Sequence, residues 1–207
     1  MRSIPLILAA LVLGGCSRPV FHSKWARQKA PSTYTVRFET SKGLFDVQVN
    51  RLWSPKAADR FYQLVKHHYF DSALFYRVVP NFVAQFGSAD SVRMHKWSRY
   101  KIPDEDAVHS NIKGAISFAR SGKETRGTDR YINLKDNLRL DTLLVEGVKG
   151  YPAFGDVVRG MDVVSALYSG YGNKTMELYD TLYKNPVLFH KTFPQLDVVR
   201  KAYLVKN

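Results

Sequence analysis

Arg77 and Gln85 are the residues of this chain best placed to do chemistry. Arg77 lies within Phe75–Val79 and Gln85 within Phe82–Phe86, two short runs that are otherwise aromatic and aliphatic. A guanidinium is almost never fully buried unless it is paired, so we expect Arg77 to face a wet or ligand-filled groove. The chemistry on offer is therefore a positive charge that acts beside an apolar pocket.

Two elements must come before these strands. Tyr34–Thr40 and Leu44–Val49 alternate in polarity around a short glycine-containing turn, which predicts a β-hairpin. Ser54 followed by Pro55 then indicates a helix start, and apolar residues recur at helical spacing until about His67.

The rest of the chain is predicted to form mainly short strands. They are predicted at Leu74–Val79, Phe82–Phe86, Ala115–Ala119, Tyr131–Leu134, Phe154–Val158 and Val198–Val205, with a helix at Met161–Leu167. Many short strands and two helices favour a mainly β fold, an antiparallel barrel, over a doubly wound parallel sheet. Ser169–Asp197 is less regular, and we interpret it as an insertion that covers one end of the barrel.

Composition limits what the groove can bind. A chain of 207 residues that is 45% hydrophobic can bury one good core and favours a single domain. The histidines lack metal-ligand spacing, so we expect neither a metal nor another cofactor. The net charge is +13, but the basic residues, including those of 120–130, are spread out, which favours a solvated basic face over nucleic-acid binding. The acidic run 104–106 is interpreted as a solvated turn.

The N-terminus resembles a bacterial lipoprotein signal. A basic start, an apolar stretch too short to span a bilayer, and the small residues before Cys16 follow one another in the expected order. We expect residues 1–15 to be removed, Cys16 to carry the lipid, and 16–32 to tether a domain at 33–207. The alternative is a buried apolar element with an incidental thiol. Ser17 after the cysteine indicates an outer-membrane destination.

Four blocks of the chain resemble the cyclophilin-type peptidyl-prolyl isomerases, in the family's order. They are Phe75–Phe82, Lys113–Arg120, Tyr131–Asn137 and Tyr151–Asp162. The resemblance implies a closed eight-stranded antiparallel barrel capped by two helices, with a peptide groove on its outer surface. The implied reaction is rotation about an X-Pro bond, which is slow without a catalyst because amide resonance sets a barrier of about 18–20 kcal/mol.

By this resemblance, Arg77 and Gln85 are the catalytic residues. Arg77 would donate hydrogen bonds to the rotating amide, and Gln85 would hold Arg77 and bind the substrate backbone. The implied substrate-binding residues are Phe82, Val83, Phe118, Ala119, Arg120, Asp129, Tyr131, Leu140 and Tyr151. Phe82 would form the floor of the proline pocket, while the strand at Phe118 would meet the substrate mainly through its backbone.

Some positions depart from the family pattern. Asp129 stands where glutamine is usual and could pair with Arg77, weakening its donation, or with Arg120, which replaces a common asparagine. Arg139 and Tyr151 replace the groove tryptophan and histidine of many eukaryotic members. We therefore expect weak cyclosporin binding with catalysis retained.

Two functions remain open at this level. The first is an envelope-anchored isomerase that speeds folding of exported proteins, and the second is a binder of proline peptides without useful turnover, such as an assembly factor. Both imply a monomer facing the periplasm, attached to the membrane through its N-terminal lipid, with proline-containing polypeptides as partners and no nucleic acid.

Overall fold

The computed structural model describes residues 20–87 and 89–206. The strands are β1 (Thr33–Thr40), β2 (Leu44–Asn50), β3 (Ala73–Val79), β4 (Val83–Gly87), β5 (Ala115–Phe118), β6 (Arg130–Asn133), β7 (Leu144–Val145), β8 (Val148–Lys149), β9 (Ala153–Arg159) and β10 (Val198–Leu204). The α-helices are α1 (Pro55–Lys66), α2 (Ser91–Ser98), α3 (Arg139–Thr142), α4 (Met161–Ser165), α5 (Tyr179–Lys184) and α6 (Pro186–Thr192). Ser23–Arg27 and Lys174–Leu178 form 3-10 helices.

Eight of the strands close a barrel. Their order is β1-β10-β3-β4-β6-β5-β9-β2, with antiparallel pairing throughout, and β7 and β8 form a separate two-stranded sheet. This confirms the predicted mainly β, closed eight-stranded antiparallel barrel. The predicted strands and the two predicted helices, α1 and α4, agree with the observed ones to within about two residues, the usual uncertainty at element ends.

The barrel interior is built from aromatic rings. Alternate residues of β1 point inward, so Val36 and Phe38 are fully buried. The Phe38 ring stacks on Phe45 of β2 at 4.7 Å between centroids. Phe61 of α1 packs against Phe154 of β9 at 5.1 Å, and this contact seats the helix on the barrel.

The N-terminal segment packs on the domain, which corrects the predicted tether over residues 21–30. Phe21 meets Trp97 of α2 edge to face at 4.9 Å, and Trp25 stacks on His67 at 3.8 Å. The Ala30 amide donates to Asp59 Oδ1 at 2.8 Å. Large aromatic side chains gain too much from burial to remain in a solvated linker. Cys16 and the predicted signal lie outside the described residues, and no helix within 20–87 and 89–206 is both long and apolar enough to cross a bilayer.

Two residues of the acidic run pair with two of their basic neighbours, so the predicted solvated turn and basic face are wrong for these side chains. The side chains of Arg120 and Arg126 have no exposed surface. Arg126 pairs with Glu105 at 3.1 Å, and Arg120 lies 3.5 Å from Asp104. Glu105 also accepts the Lys56 amide at 2.7 Å and thereby caps α1.

The insertion is helical, although the sequence shows no helical period there. It contains the second 3-10 helix, α5 and α6, which follow one another between α4 and β10. The 3-10 helix lies beside β3, and α5 lies beside α2. The insertion therefore reaches the strand that carries Arg77.

Candidate active site

Arg77, Gln85 and Tyr131 form a row across three neighbouring strands. Arg77 of β3 is paired with Gln85 of β4, and Gln85 is paired with Tyr131 of β6. Paired residues lie on the same face of a sheet. The strand register therefore sets a guanidinium, an amide and a phenol side by side on the outside of the barrel.

The Arg77 guanidinium is held by two neutral amides. Its Nη1 donates to Gln85 Oε1 at 3.0 Å, and its Nε donates to Asn173 Oδ1 at 2.8 Å. The guanidinium carbon lies 5.6 Å from the centre of the Phe82 ring. Burial lowers the pKa of Arg77 from its ordinary value, but an arginine in a protein stays protonated. The side chain is thus a fixed cation at the edge of an apolar surface.

An apolar cavity of about 400 Å³ opens beside this cation. Val83, Tyr131 and Leu140 form its buried part, and Phe82, Ala119 and Tyr151 pack against them. The remaining lining residues are Arg77, Gln85, Arg120, Arg139, Leu143 and Met176. The structure thus gathers both predicted catalytic residues and seven of the predicted substrate-binding residues around one cavity: Phe82, Val83, Ala119, Arg120, Tyr131, Leu140 and Tyr151.

Asp129 and Phe118 are the two predicted substrate-binding residues that do not line this cavity. The second of them, Phe118, belongs to β5. Its side chain is fully buried and packs on Phe154 inside the barrel, at 5.3 Å between ring centres. The alternation of β5 requires this, because its neighbour Ser117 is the residue paired with outward-facing Tyr131. The Phe118 side chain cannot contact a ligand in the groove, and only its backbone remains available.

Asp129 pairs with neither arginine, which corrects both predicted ion pairs. Its Oδ1 accepts from Tyr76 at 3.1 Å and its Oδ2 from Tyr183 at 2.7 Å. Arg120 instead donates to the Val148 carbonyl at 2.9 Å and lies over the Tyr151 ring at 4.7 Å. The carboxylate thus accepts from two phenols and from neither Arg77 nor Arg120.

A buried asparagine holds the back wall of the cavity. Asn111 is fully buried and accepts from Tyr131 Oη at 2.9 Å. Its Nδ2 donates to Asp141 at 2.8 Å and to the Tyr151 carbonyl at 2.9 Å. Sequence reasoning missed Asn111, because these partners come from distant segments and leave no local pattern.

The insertion supplies two further site residues that the sequence did not reveal. Asn173 contacts Arg77, and Met176 lines the apolar cavity. Met176 also lines a neighbouring cavity of about 440 Å³, which is bordered by Asp129, Tyr179 and Tyr183. No motif marks these residues, and only the fold of the insertion places them.

No resident metal is indicated by the part of the chain that the structure describes. It contains no group of three histidine, cysteine, aspartate or glutamate side chains close enough to hold an ion. What the site offers is a cationic hydrogen-bond donor next to an apolar slot.

Residues 35–186 match the family model described as cyclophilin type peptidyl-prolyl cis-trans isomerase/CLD. The chain belongs to the cyclophilin family. A peptidyl-prolyl cis-trans isomerase of Acinetobacter baylyi is 28% identical over 73% of this chain and 80% of its own length. Peptidyl-prolyl cis-trans isomerase A of Dickeya dadantii is 30% identical over 67% of this chain and 73% of its own length.

Solved structures agree on the fold. A cyclophilin-type isomerase of Cryptosporidium parvum superposes with a TM-score of 0.61 at 18% identity, covering 84% of this chain and 99% of its own. Its structure in the presence of the dipeptide Ala-Pro gives a TM-score of 0.60. Membership of this cyclophilin family makes the chain a peptidyl-prolyl cis-trans isomerase.

Proposed function

We propose that Arg77 and Gln85 catalyse X-Pro rotation in exported polypeptides, and that the enzyme works in the bacterial cell envelope from a lipid anchor at Cys16. The observation that carries the catalytic part is the position of Arg77, a cation held by neutral partners at the mouth of an apolar cavity.

The reaction needs a hydrogen-bond donor and a slot, and no bond is broken. When the amide twists, the proline nitrogen regains its lone pair and becomes a hydrogen-bond acceptor. Phe82, Tyr131 and Leu140 would hold the proline ring, while Arg77 would donate to the twisted amide. A donor that is already oriented stabilises this state without the cost of reorganisation.

Neutral partners matter because they leave the charge of Arg77 available. Gln85 and Asn173 fix the guanidinium through amide oxygens. Within the described part of the chain no carboxylate pairs with Arg77, and Asp129 is occupied by Tyr76 and Tyr183. A carboxylate on Arg77 would compete with the substrate for the donor, so this arrangement favours turnover over binding alone.

A protease-coupled isomerisation assay on a proline tetrapeptide tests the catalytic role. Arg77→Ala should lower kcat/KM by about two orders of magnitude, as expected when one preorganised donor is lost. Arg200→Ala, an exposed arginine on β10, is the matched control and should keep full activity. Wild-type activity in Arg77→Ala would refute the assignment, and a wild-type protein that binds the peptide without turnover would favour the non-catalytic alternative.

The envelope location is supported by the sequence around Cys16, and it has its own test. In cells treated with globomycin, the unprocessed precursor should accumulate, and Cys16→Ser should move the protein out of the membrane fraction. A mature wild-type protein that lacks acyl chains by mass spectrometry would contradict the anchor and leave the catalytic proposal untouched.

A further inference from the structure

The insertion contacts the catalytic arginine through a short helical segment, residues 173–183, which we call the arm. It consists of Asn173, the 3-10 helix Lys174–Leu178 and most of α5. Asn173 is at the end nearest the groove, and Tyr183 is at the far end. The near end is hydrogen-bonded to a residue of β3, and the far end to a residue just before β6.

At the near end, Asn173 and Gln85 hold Arg77 from two sides. Asn173 Oδ1 accepts from Nε at 2.8 Å, and Gln85 Oε1 accepts from Nη1 at 3.0 Å. The guanidinium is a rigid plane, so two hydrogen bonds to different nitrogens fix its rotation. Nη2 makes no hydrogen bond within the described part of the chain and is the nitrogen left for a substrate.

At the far end, Asp129 fixes the arm. The Tyr183 hydroxyl donates to Asp129 Oδ2 at 2.7 Å, and the Tyr179 hydroxyl donates to Tyr183 at 3.0 Å. Asp129 also accepts from Tyr76 of β3, whose ring lies 5.5 Å from that of Tyr179. Burial raises the pKa of the Tyr183 phenol well above its ordinary value, so the hydroxyl stays protonated and can donate.

A glycine at the end of β4 leaves space for the Asp129 side chain. A Cβ at Gly87 would lie 2.6 Å from Asp129 Oδ1, closer than real contacts allow. Gly87 therefore leaves space for a carboxylate that faces the arm. Asp129, Gly87 and Tyr183 form one unit, although each comes from a different part of the chain.

We propose that the arm positions the catalytic guanidinium. Asn173 is a positioning residue that sets the plane of Arg77, and the hydrogen bond between Tyr183 and Asp129 holds Asn173 in place. This inference rests on the catalytic role proposed for Arg77 and is independent of the envelope location. It also gives a reason for the aspartate at position 129.

The test compares Asn173→Ala with Lys174→Ala in the full chain. Asn173→Ala should lower kcat/KM about tenfold, because the donor is no longer oriented. The dissociation constant for the proline peptide should change less than twofold. Lys174 is the exposed neighbour on the arm, and its replacement should change neither quantity. Equal activity of Asn173→Ala and wild type would overturn the proposal.

A spectroscopic readout separates positioning from a merely structural role. The 15N-bound Nε proton of Arg77 should be protected from exchange in the wild type and in Lys174→Ala, and exposed in Asn173→Ala. Loss of activity with an unchanged Nε resonance would overturn the proposal, because the arm would then act by another route.

Tyr183→Phe tests the anchor. It should expose the Arg77 Nε proton and lower kcat/KM about threefold, and the double variant with Asn173→Ala should be no worse than Asn173→Ala alone. Additive losses would show that Tyr183 acts separately. An active Arg77→Ala variant would refute the catalytic role itself, whereas an inactive Arg77→Ala with a fully active Asn173→Ala would refute only the arm.

Discussion

Replacing Arg130 with methionine should stabilise the protein, although the substitution removes a charged group from the barrel core. Arg130 lies on β6 between Phe86 and Phe118 and is fully buried. Its Nε, Nη1 and Nη2 have no hydrogen-bond partner in the described chain. Aromatic faces surround the guanidinium instead, the nearest being Phe70 at 4.2 Å.

The size of the effect follows from two opposing terms. Burial lowers the pKa of Arg130 to about 10, and each unit of pKa is worth about 1.4 kcal/mol, so burying the charge costs about 3 kcal/mol. The contacts between the Arg130 guanidinium and the aromatic rings stabilise the folded state by about 2 kcal/mol, the scale of a desolvated cation–π contact. Methionine removes the charge, fills a similar space and adds apolar burial. We expect the free energy of unfolding to rise by about 1–3 kcal/mol.

Urea denaturation followed by tryptophan fluorescence measures this change. Arg130→Met should shift the midpoint upward with an unchanged slope, while isomerase activity stays within about twofold because the side chain points away from the groove. Arg130→Lys is the control: it keeps the charge, loses the planar stacking and should be less stable than the wild type. A variant Arg130→Met that is less stable than the wild type would refute the reasoning and imply a buried partner for the guanidinium, such as an ordered water.

Two further predictions concern the groove and the N-terminal segment. Cyclosporin should bind weakly, because Arg139 places a guanidinium 5.7 Å from the Phe82 ring at the groove edge; Arg139→Trp should tighten binding at least tenfold by calorimetry, and tight binding to the wild type would contradict the prediction. Burial, with a smaller contribution from the charge of Lys66, lowers the pKa of His67 to about 4. The unfolded chain, with a histidine pKa near 6.5, therefore takes up the proton first as the pH falls. Stability that is present above pH 6.5 should be lost towards pH 4, by about 1 kcal/mol after solvent screening, and Trp25 fluorescence should report it. His67→Gln should flatten that pH profile, and an unchanged profile would count against the assignment.

The residues of the groove could be predicted where strand periodicity fixes them. Arg77 and Gln85 lie on short strands whose alternation is visible in the sequence, so their shared face follows once β3 and β4 pair. The aromatic and aliphatic residues around them identify the apolar slot for the same reason. Local pattern and register were sufficient for this part of the site.

The arm and the buried charges could not be predicted in the same way. Asn173 and Tyr183 meet Arg77 and Asp129 across separations of 96 and 54 residues, and no local pattern encodes such contacts. The basic residues of 120–130, Arg130 among them, are predicted at the surface because arginine is mostly exposed, yet the position of Arg130 on β6 turns its side chain inward. The 3.6-residue period is absent from the insertion, since its short helices are stabilised by packing on the barrel.

If Cys16 carries a lipid as proposed, the docking of residues 21–30 onto the domain would limit the distance between the enzyme and the bilayer. Only residues 17–20 separate Cys16 from Phe21, and at about 3.5 Å per residue even a fully extended stretch spans less than about 20 Å. An acylated Cys16 would keep the barrel close to the lipid headgroups. The enzyme could then not diffuse away into the aqueous compartment. Its clients would then be chains that emerge at, or pass along, the membrane surface.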